Sequence, residues 1–246
     1  MREKAFAKFG KIIPMRKTEL IVALDLELDK TEEILKTLKG KVKYYKIGPV
    51  LFMQHGVKAI EAVKKQGGEV FLDLKLHDIP NTVEQAIENA NQLGIYSISL
   101  HLSGGPKMLK SAMKLAEKVK IWGVTILTSL DMIEFHQIGF RYSLQKQVQH
   151  LAKMGKENGI DGIIASPQEL YYLRKTLGED LKIITPSIRL EEKYENDDQK
   201  RYLTPRRARE LGADYIVVGR PIIEAKDPLK AAEFILGEIK NEAKTM

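Results

Sequence analysis

The stretch FLDLKLHDIPNTV, residues 71–83, joins an apolar run to a proline-led segment. The apolar residues predict a buried strand, and Pro80 suits the first turn of a helix. Between the two lie four ionisable residues: Asp73, Lys75, His77 and Asp78. Because a strand that only buries apolar side chains has no need of such a cluster, we interpret the stretch as a β-strand with a functional end, followed by a helix.

The same unit recurs along the chain. Eight short apolar runs predict strands at 20–25, 44–48, 69–75, 96–101, 122–128, 161–166, 181–186 and 214–219. Amphipathic segments lie between them, such as 50–66, whose apolar face would hold Val50, Met53, Val57, Ile60 and Val63, and 228–240. Strict alternation of strand and helix indicates a parallel sheet.

Eight units in 246 residues predict an α/β fold, the (β/α)₈ TIM barrel. An open doubly wound sheet is the competing fold, but no G-x-G-x-x-G follows the first strand. We expect residues 1–18 to be an N-terminal extension and residues 19–246 to form one catalytic domain.

Composition narrows the function classes. The chain has no cysteine, which excludes disulfides and thiolate chemistry, and its charge of +7 comes from interspersed residues of both signs. No apolar run reaches the length of a membrane span, and residues 1–20 lack the apolar core of a signal peptide. We expect a cytoplasmic protein that binds neither nucleic acid nor membrane.

Polar residues gather at one predicted position. In a barrel the carboxyl ends of the strands converge on the face that carries the active site. Eight polar residues lie at or just beyond such ends: Asp25, Lys46, Asp73, Lys75, His101, Thr128, Arg189 and Arg220. Helix capping alone does not explain eight of them, although it would explain Asp78 by itself. We interpret His77 and His101 as structural residues.

A lysine close to two carboxylates suits three chemistries. A Schiff-base aldolase needs a neutral amine, which the carboxylates disfavour, and a divalent metal held by Asp73 and Asp78 would be opposed by Lys75. A fixed ammonium that stabilises and protonates a carbanion gains from both carboxylates. The last role fits a decarboxylation without a cofactor.

The end of the chain resembles an anion site. Gly219 and Arg220 follow the eighth predicted strand and Arg189 follows the seventh, which is where barrels often bind phosphate. The long polar loop 186–205 begins beside them, and we expect it to close over a ligand, with Gln199 reaching it.

Together these motifs resemble the bacterial-type orotidine 5′-monophosphate decarboxylases. The resemblance rests on LIVALD, YKIG, FLDLKLHDIPNTV, SLHLSGG, VTILTS, TPSIR, NDDQKRYLTP and VVGRPI, in this order between residues 20 and 222. It implies the conversion of orotidine 5′-phosphate to UMP, in pyrimidine biosynthesis, by a homodimer without metal or cofactor.

The resemblance also implies a role for each matching residue. Lys75 matches the proton donor, Asp73 and Asp78 its carboxylate neighbours, Lys46 a second lysine and Asp25 a ribose ligand. Asp78, Ile79 and Thr82 match residues that reach the partner's site. Thr128 matches a pyrimidine contact, and the phosphate end is matched by Arg189, Gln199, Gly219 and Arg220.

One residue departs from the pattern. The family usually has glycine where this chain has Ser187, and such a position suggests a backbone with φ > 0. A sister sugar-phosphate decarboxylase or aldolase that uses Mg²⁺ shares the Asp-x-Lys-x-x-Asp element and is the alternative function.

Overall fold

Eight parallel strands close into a barrel in the computed structural model, which describes residues 17–190 and 202–240. The strands are β1 (Glu19–Ala23), β2 (Tyr44–Ile47), β3 (Glu69–Leu76), β4 (Ser97–His101), β5 (Lys120–Val124), β6 (Gly162–Ile164), β7 (Lys182–Thr185) and β8 (Tyr215–Val218). Each strand pairs with the next along the chain, and β8 closes the ring on β1. The predicted TIM barrel is therefore confirmed.

Helices follow every strand. They are α1 (Leu28–Thr37), α2 (Pro49–His55), α3 (Val57–Lys65), α4 (Pro80–Gln92), α5 (Gly105–Lys114), α6 (Met132–Gln137), α7 (Leu144–Glu157), α8 (Leu170–Leu177), α9 (Pro205–Glu210), α10 (Arg220–Ile223) and α11 (Pro228–Lys240). Short 3₁₀ turns lie at Leu102–Gly104 and Pro167–Glu169. No helix within 17–190 or 202–240 is long and apolar enough to span a membrane.

The core has two parts, as a barrel requires. Side chains that point inward from the strands, among them Phe71, Trp122 and Tyr215, fill the barrel itself. A larger cluster packs the outer faces of the strands against the helices. The interior of the barrel is therefore filled by side chains, and the polar residues lie at the carboxyl end of this packed interior.

Two predicted boundaries are wrong. The single helix expected over 50–66 is divided at Gly56, whose φ of 53° lies outside the helical region, into α2 and α3. Of the expected apolar face, Val50, Met53 and Val57 are exposed, at 66%, 83% and 43%, whereas Ile60 and Val63 lie in the core. The strand expected over 122–128 ends at Val124, so Thr128 lies in the following loop. The helix at 228–240 is confirmed.

Candidate active site

Lys75 and Asp73 form an ion pair near the carboxyl end of β3. The Lys75 ammonium lies 2.8 Å from Asp73 Oδ2. The Asp73 side chain is only 11% exposed and that of Lys75 is 32% exposed. In such a partly dry position the ion pair is screened less than at the surface. The amine is therefore held in place by a carboxylate, as the sequence predicts.

The backbone at Lys75 is unusual. Leu72 pairs with Ile98 and Leu76 with Leu100, so the register between β3 and β4 shifts, and Lys75 has a φ of +51°. A left-handed backbone is costly for a side chain such as lysine, by roughly 1–2 kcal/mol, and strain of this kind concentrates at functional sites. The sequence gives no sign of this bulge.

A second lysine on the neighbouring strand has its own carboxylate. Lys46 of β2 lies 3.2 Å from Asp25 Oδ1, beyond the end of β1. Gly48, which the sequence reasoning missed, makes room for this pair, because a Cβ there would lie 3.0 Å from Lys46 Nζ and 3.2 Å from Asp25 Oδ1. Its signal is the glycine of YKIG, two residues after the lysine.

Asp78 does not cap the helix that follows. The N-cap of α4 is Ile79, which makes no side-chain cap bond, and Asp78 Oδ1 accepts a hydrogen bond only one residue on, from the Ile79 N–H at 2.6 Å. The capping interpretation of Asp78 is therefore wrong. Asp78, Ile79 and Thr82 are all exposed.

An open cavity of about 460 Å³ lies at the carboxyl end of β1, β2, β7 and β8. Six of the predicted site residues line it: Asp25, Lys46, Thr128, Arg189, Gly219 and Arg220. Asp73 and Lys75 lie on the adjacent strand β3. Six further lining residues were not predicted as ligand contacts: Ala23, Pro186, Ser187, Val217, Ile223 and Glu224.

The loop after β7 positions Arg189. Ser187 is buried with a φ of +62°, so the positive φ suspected at this residue is present even though the residue is serine. Ile188 forms a bridge with Leu203, and the Arg189 N–H donates to the Leu203 carbonyl oxygen at 3.0 Å. Gln199 and the middle of the expected lid, residues 191–201, lie outside the described residues.

Two histidines stand beside the lysine. The rings of His77 and His101 are 5.5 Å apart. Burial lowers the pKa of His101, and the nearby His77 and Lys75 lower it further. The lowered pKa disfavours a positive charge on His101 beside Lys75, although the Asp73 carboxylate acts in the opposite direction.

Ser99 on β4 is a buried contact that the sequence reasoning missed. Its hydroxyl donates to Asp73 Oδ1 at 2.7 Å and accepts the Lys75 backbone N–H at 2.8 Å. The available signal is the alternation in SISLH, residues 97–101, which places Ser97, Ser99 and His101 on the same face as one another.

The site thus has two lysines, each paired with a carboxylate, and two arginines. The Lys46–Asp25 pair and both arginines line the open cavity, while the Lys75–Asp73 pair lies on the next strand, β3, and does not line it. Such a site can bind a phosphorylated ligand at the arginine end and stabilise negative charge at the lysine end. Within the described residues, no group of three His, Cys, Asp or Glu side chains lies close enough together to hold a metal ion.

Comparison with known proteins identifies relatives across the barrel. The sequence model described as "Orotidine 5'-phosphate decarboxylase / HUMPS family" matches residues 18–235. The orotidine 5′-phosphate decarboxylase of Trichlorobacter lovleyi is 44% identical over 231 residues, covering 91% of this chain and 95% of the relative. That of Carboxydothermus hydrogenoformans is also 44% identical, over 230 residues, covering 90% of this chain and 95% of that protein.

Solved structures agree. The crystal structure of orotidine 5′-phosphate decarboxylase from Lactobacillus acidophilus matches with a TM-score of 0.80 and 38% identity, and the match covers 90% of this chain and 99% of that one. The closed barrel, the order of the motifs and similarity over 90% of the chain or more lead to one conclusion. The chain belongs to the orotidine 5′-phosphate decarboxylase / HUMPS family.

Proposed function

We propose that this protein decarboxylates orotidine 5′-phosphate to uridine 5′-phosphate without metal or cofactor, and that Lys75 donates the proton that replaces CO₂. The observation that carries the proposal is the Lys75 ammonium held 2.8 Å from Asp73 at the mouth of the barrel. The curated relatives named as orotidine 5′-phosphate decarboxylases support the substrate.

The proposed reaction needs only groups that the chain supplies. The bond between C6 of the pyrimidine and its carboxyl carbon breaks, CO₂ leaves, and the electron pair remains on C6. The Lys75 ammonium stabilises this negative charge and then transfers its proton to C6, after which solvent reprotonates the amine. Asp73 holds the amine in place before the reaction, 2.8 Å from its Oδ2.

Asp73 also disfavours the substrate carboxylate. A carboxylate placed beside Asp73, and beside Asp78 from the partner subunit, is repelled until CO₂ departs. The remaining binding groups act at a distance from the reacting atom. Asp25 would accept the ribose hydroxyls, while Arg220, the Gly219 backbone N–H and Arg189 would hold the phosphate.

The decisive experiment compares wild type with Lys75→Ala in a decarboxylation assay containing EDTA. We expect turnover in the wild type with EDTA present, and a loss of several orders of magnitude in the variant. The affinity for UMP should fall much less, because the phosphate contacts survive. Lys65→Ala, which removes an exposed lysine from α3, is the control and should leave turnover unchanged.

The family description also names HUMPS proteins, which keeps a sister activity on sugar phosphates as the second candidate. A parallel assay with a phosphorylated keto-sugar and Mg²⁺ separates the two. Turnover that requires Mg²⁺, or none with the nucleotide, would contradict the proposal.

We further propose a homodimer that shares its two sites. Ile79 is 67% exposed beside the exposed Asp78, and Val50 and Met53 expose apolar surface after the adjacent strand β2. Exposed apolar side chains on segments that follow the strands of a charged site are typical of an interface that completes the site. The proposal places Asp78, Ile79 and Thr82 at the partner's ligand.

Mixing two inactive variants tests the shared site. A dimer of one Lys75→Ala subunit and one Asp78→Asn subunit contains one intact site if Asp78 serves the partner. Random reassociation should then restore about a quarter of the wild-type activity, since half of the dimers are mixed and each has one good site. No recovery after verified exchange of subunits would show that Asp78 serves its own subunit.

A further inference from the structure

Ser99 lies where three residues of β3 face one residue of β4. Leu72 pairs with Ile98 and Leu76 with Leu100, which leaves Asp73, Leu74 and Lys75 opposite Ser99. The Ser99 side chain is fully buried, so its hydroxyl depends on protein partners for its hydrogen bonds.

The hydrogen-bond directions at Ser99 are forced. A backbone N–H can only donate, so the Ser99 oxygen accepts from Lys75 at 2.8 Å. The hydroxyl has one proton, and it goes to Asp73 Oδ1 at 2.7 Å. Asp73 Oδ2 is left to the Lys75 ammonium at 2.8 Å. One hydroxyl therefore contacts both ends of the Asp73–Lys75 unit: its carboxylate and its strained backbone.

We propose that Ser99 is a positioning residue for the decarboxylation, because its hydroxyl fixes the rotation of the Asp73 carboxylate and holds Lys75 in its left-handed backbone conformation. The expected loss of kcat rests on the proposed function. The expected geometry of Asp73 and Lys75 does not depend on that function. Without the hydroxyl, Asp73 can turn away and the bulge loses the bond that satisfies the Lys75 N–H. The ammonium then occupies the position beside C6 for a smaller fraction of the time.

The same strand provides a matched control. Ser97 is also fully buried and lies two residues earlier on the same face of β4, but its hydroxyl has no hydrogen-bond partner among the described residues. Ser97→Ala and Ser99→Ala thus remove the same atom from neighbouring buried positions, and only the second removes hydrogen bonds to the site.

The kinetic test compares these variants by kcat, KM and UMP affinity. For Ser99→Ala we expect kcat to fall at least tenfold, with KM and the Kd for UMP within about threefold of wild type, since the phosphate and ribose contacts lie elsewhere. Ser97→Ala should keep kcat within twofold. If Ser99→Ala does not fold, Ser99→Cys fills the site with a somewhat larger, weaker hydrogen-bonding group and should lose kcat in the same selective way.

The structural test needs no turnover. In a crystal structure of Ser99→Ala we expect Lys75 to leave the left-handed region, or its Nζ to lie more than about 3.5 Å from Asp73 Oδ2, the limit of a hydrogen bond. Unchanged Lys75 and Asp73 geometry, or a kcat within twofold of wild type, would overturn the inference. A wild type without decarboxylase activity would instead refute the proposed function, and the crystal structure would still decide the role of Ser99.

Discussion

Replacing Gly48 with alanine should lower activity with little change in the stability of the fold. A Cβ at this residue would lie 3.0 Å from Lys46 Nζ and 3.2 Å from Asp25 Oδ1. Contacts this short are tighter than most Cβ atoms make, so the ammonium must move by a few tenths of an ångström. The Asp25 side chain is 56% exposed and can move with the Lys46 ammonium, but it then leaves its place in the cavity lining.

The magnitude follows from positioning. A displacement of about 1 Å at a reacting group reduces rates by up to roughly a hundredfold, so a few tenths of an ångström should reduce kcat/KM by about tenfold, or ~1.4 kcal/mol. Gly48 has a φ of −89° and a ψ of 178°, which alanine adopts without strain. Alanine restricts the unfolded chain, which stabilises the fold by about 0.4–1 kcal/mol. Gly48 is also the N-cap of α2, where alanine is disfavoured by a comparable amount, so the free energy of unfolding should change little.

The assay measures kcat/KM and the melting temperature for Gly48→Ala, Lys46→Ala and the double variant. The steric reasoning predicts that Gly48→Ala changes kcat/KM by less than twofold when Lys46 is already absent. A Gly48→Ala enzyme with wild-type kcat/KM, or one that loses the same factor in the Lys46→Ala background, would refute it.

Three further changes test other parts of the structure. Ser187→Gly should relieve the backbone strain of the φ of +62° and raise the melting temperature by about 2–4 °C, corresponding to ~1 kcal/mol. A lower melting temperature would show that the serine is not strained. Arg174→Met leaves Asp214 buried without its guanidinium partner and should lower the free energy of unfolding by about 3–5 kcal/mol, measured by chemical denaturation. Lys153→Ala removes an exposed ion pair and should lower it by under about 0.5 kcal/mol; equal losses would contradict the role of burial. Burial lowers the pKa of His101 in the folded protein, so below about pH 6.5 the unfolded chain binds a proton more readily than the folded protein does, and the free energy of unfolding should fall from pH 7 to pH 5. A His101→Gln variant with the same pH dependence would exclude this residue as a cause.

The sequence predicts the barrel well because its strands are fully covered. Near-continuous apolar runs such as DYIVVG identify strands buried on both faces, and all eight are present. The same logic fails at 50–66, since a helical apolar spacing does not distinguish a face on the core from one exposed beside the site. Gly56 is the local signal of the break, and Val50 and Met53 remain outside the core.

The candidate site also contains residues that the sequence predicts and contacts that it does not. Asp25, Lys46 and Arg220 could be placed from the sequence because the carboxyl ends of parallel strands converge. The bulge at Lys75 and its bond to Ser99 could not, because a register shift depends on the pairing of two strands and leaves no spacing pattern in either one. Such contacts between strands hold the Lys75 amine in place, and they can be identified only in a three-dimensional structure.

A crystal structure with UMP bound would show where the Lys75 amine lies relative to the reacting carbon. We expect the Lys75 Nζ to lie within about 3.5 Å of C6 of the pyrimidine, still paired with Asp73, with the phosphate against Arg220. An Nζ more than about 5 Å from C6, beyond any direct proton transfer, or an amine covalently joined to a ligand would contradict the proposed role of Lys75.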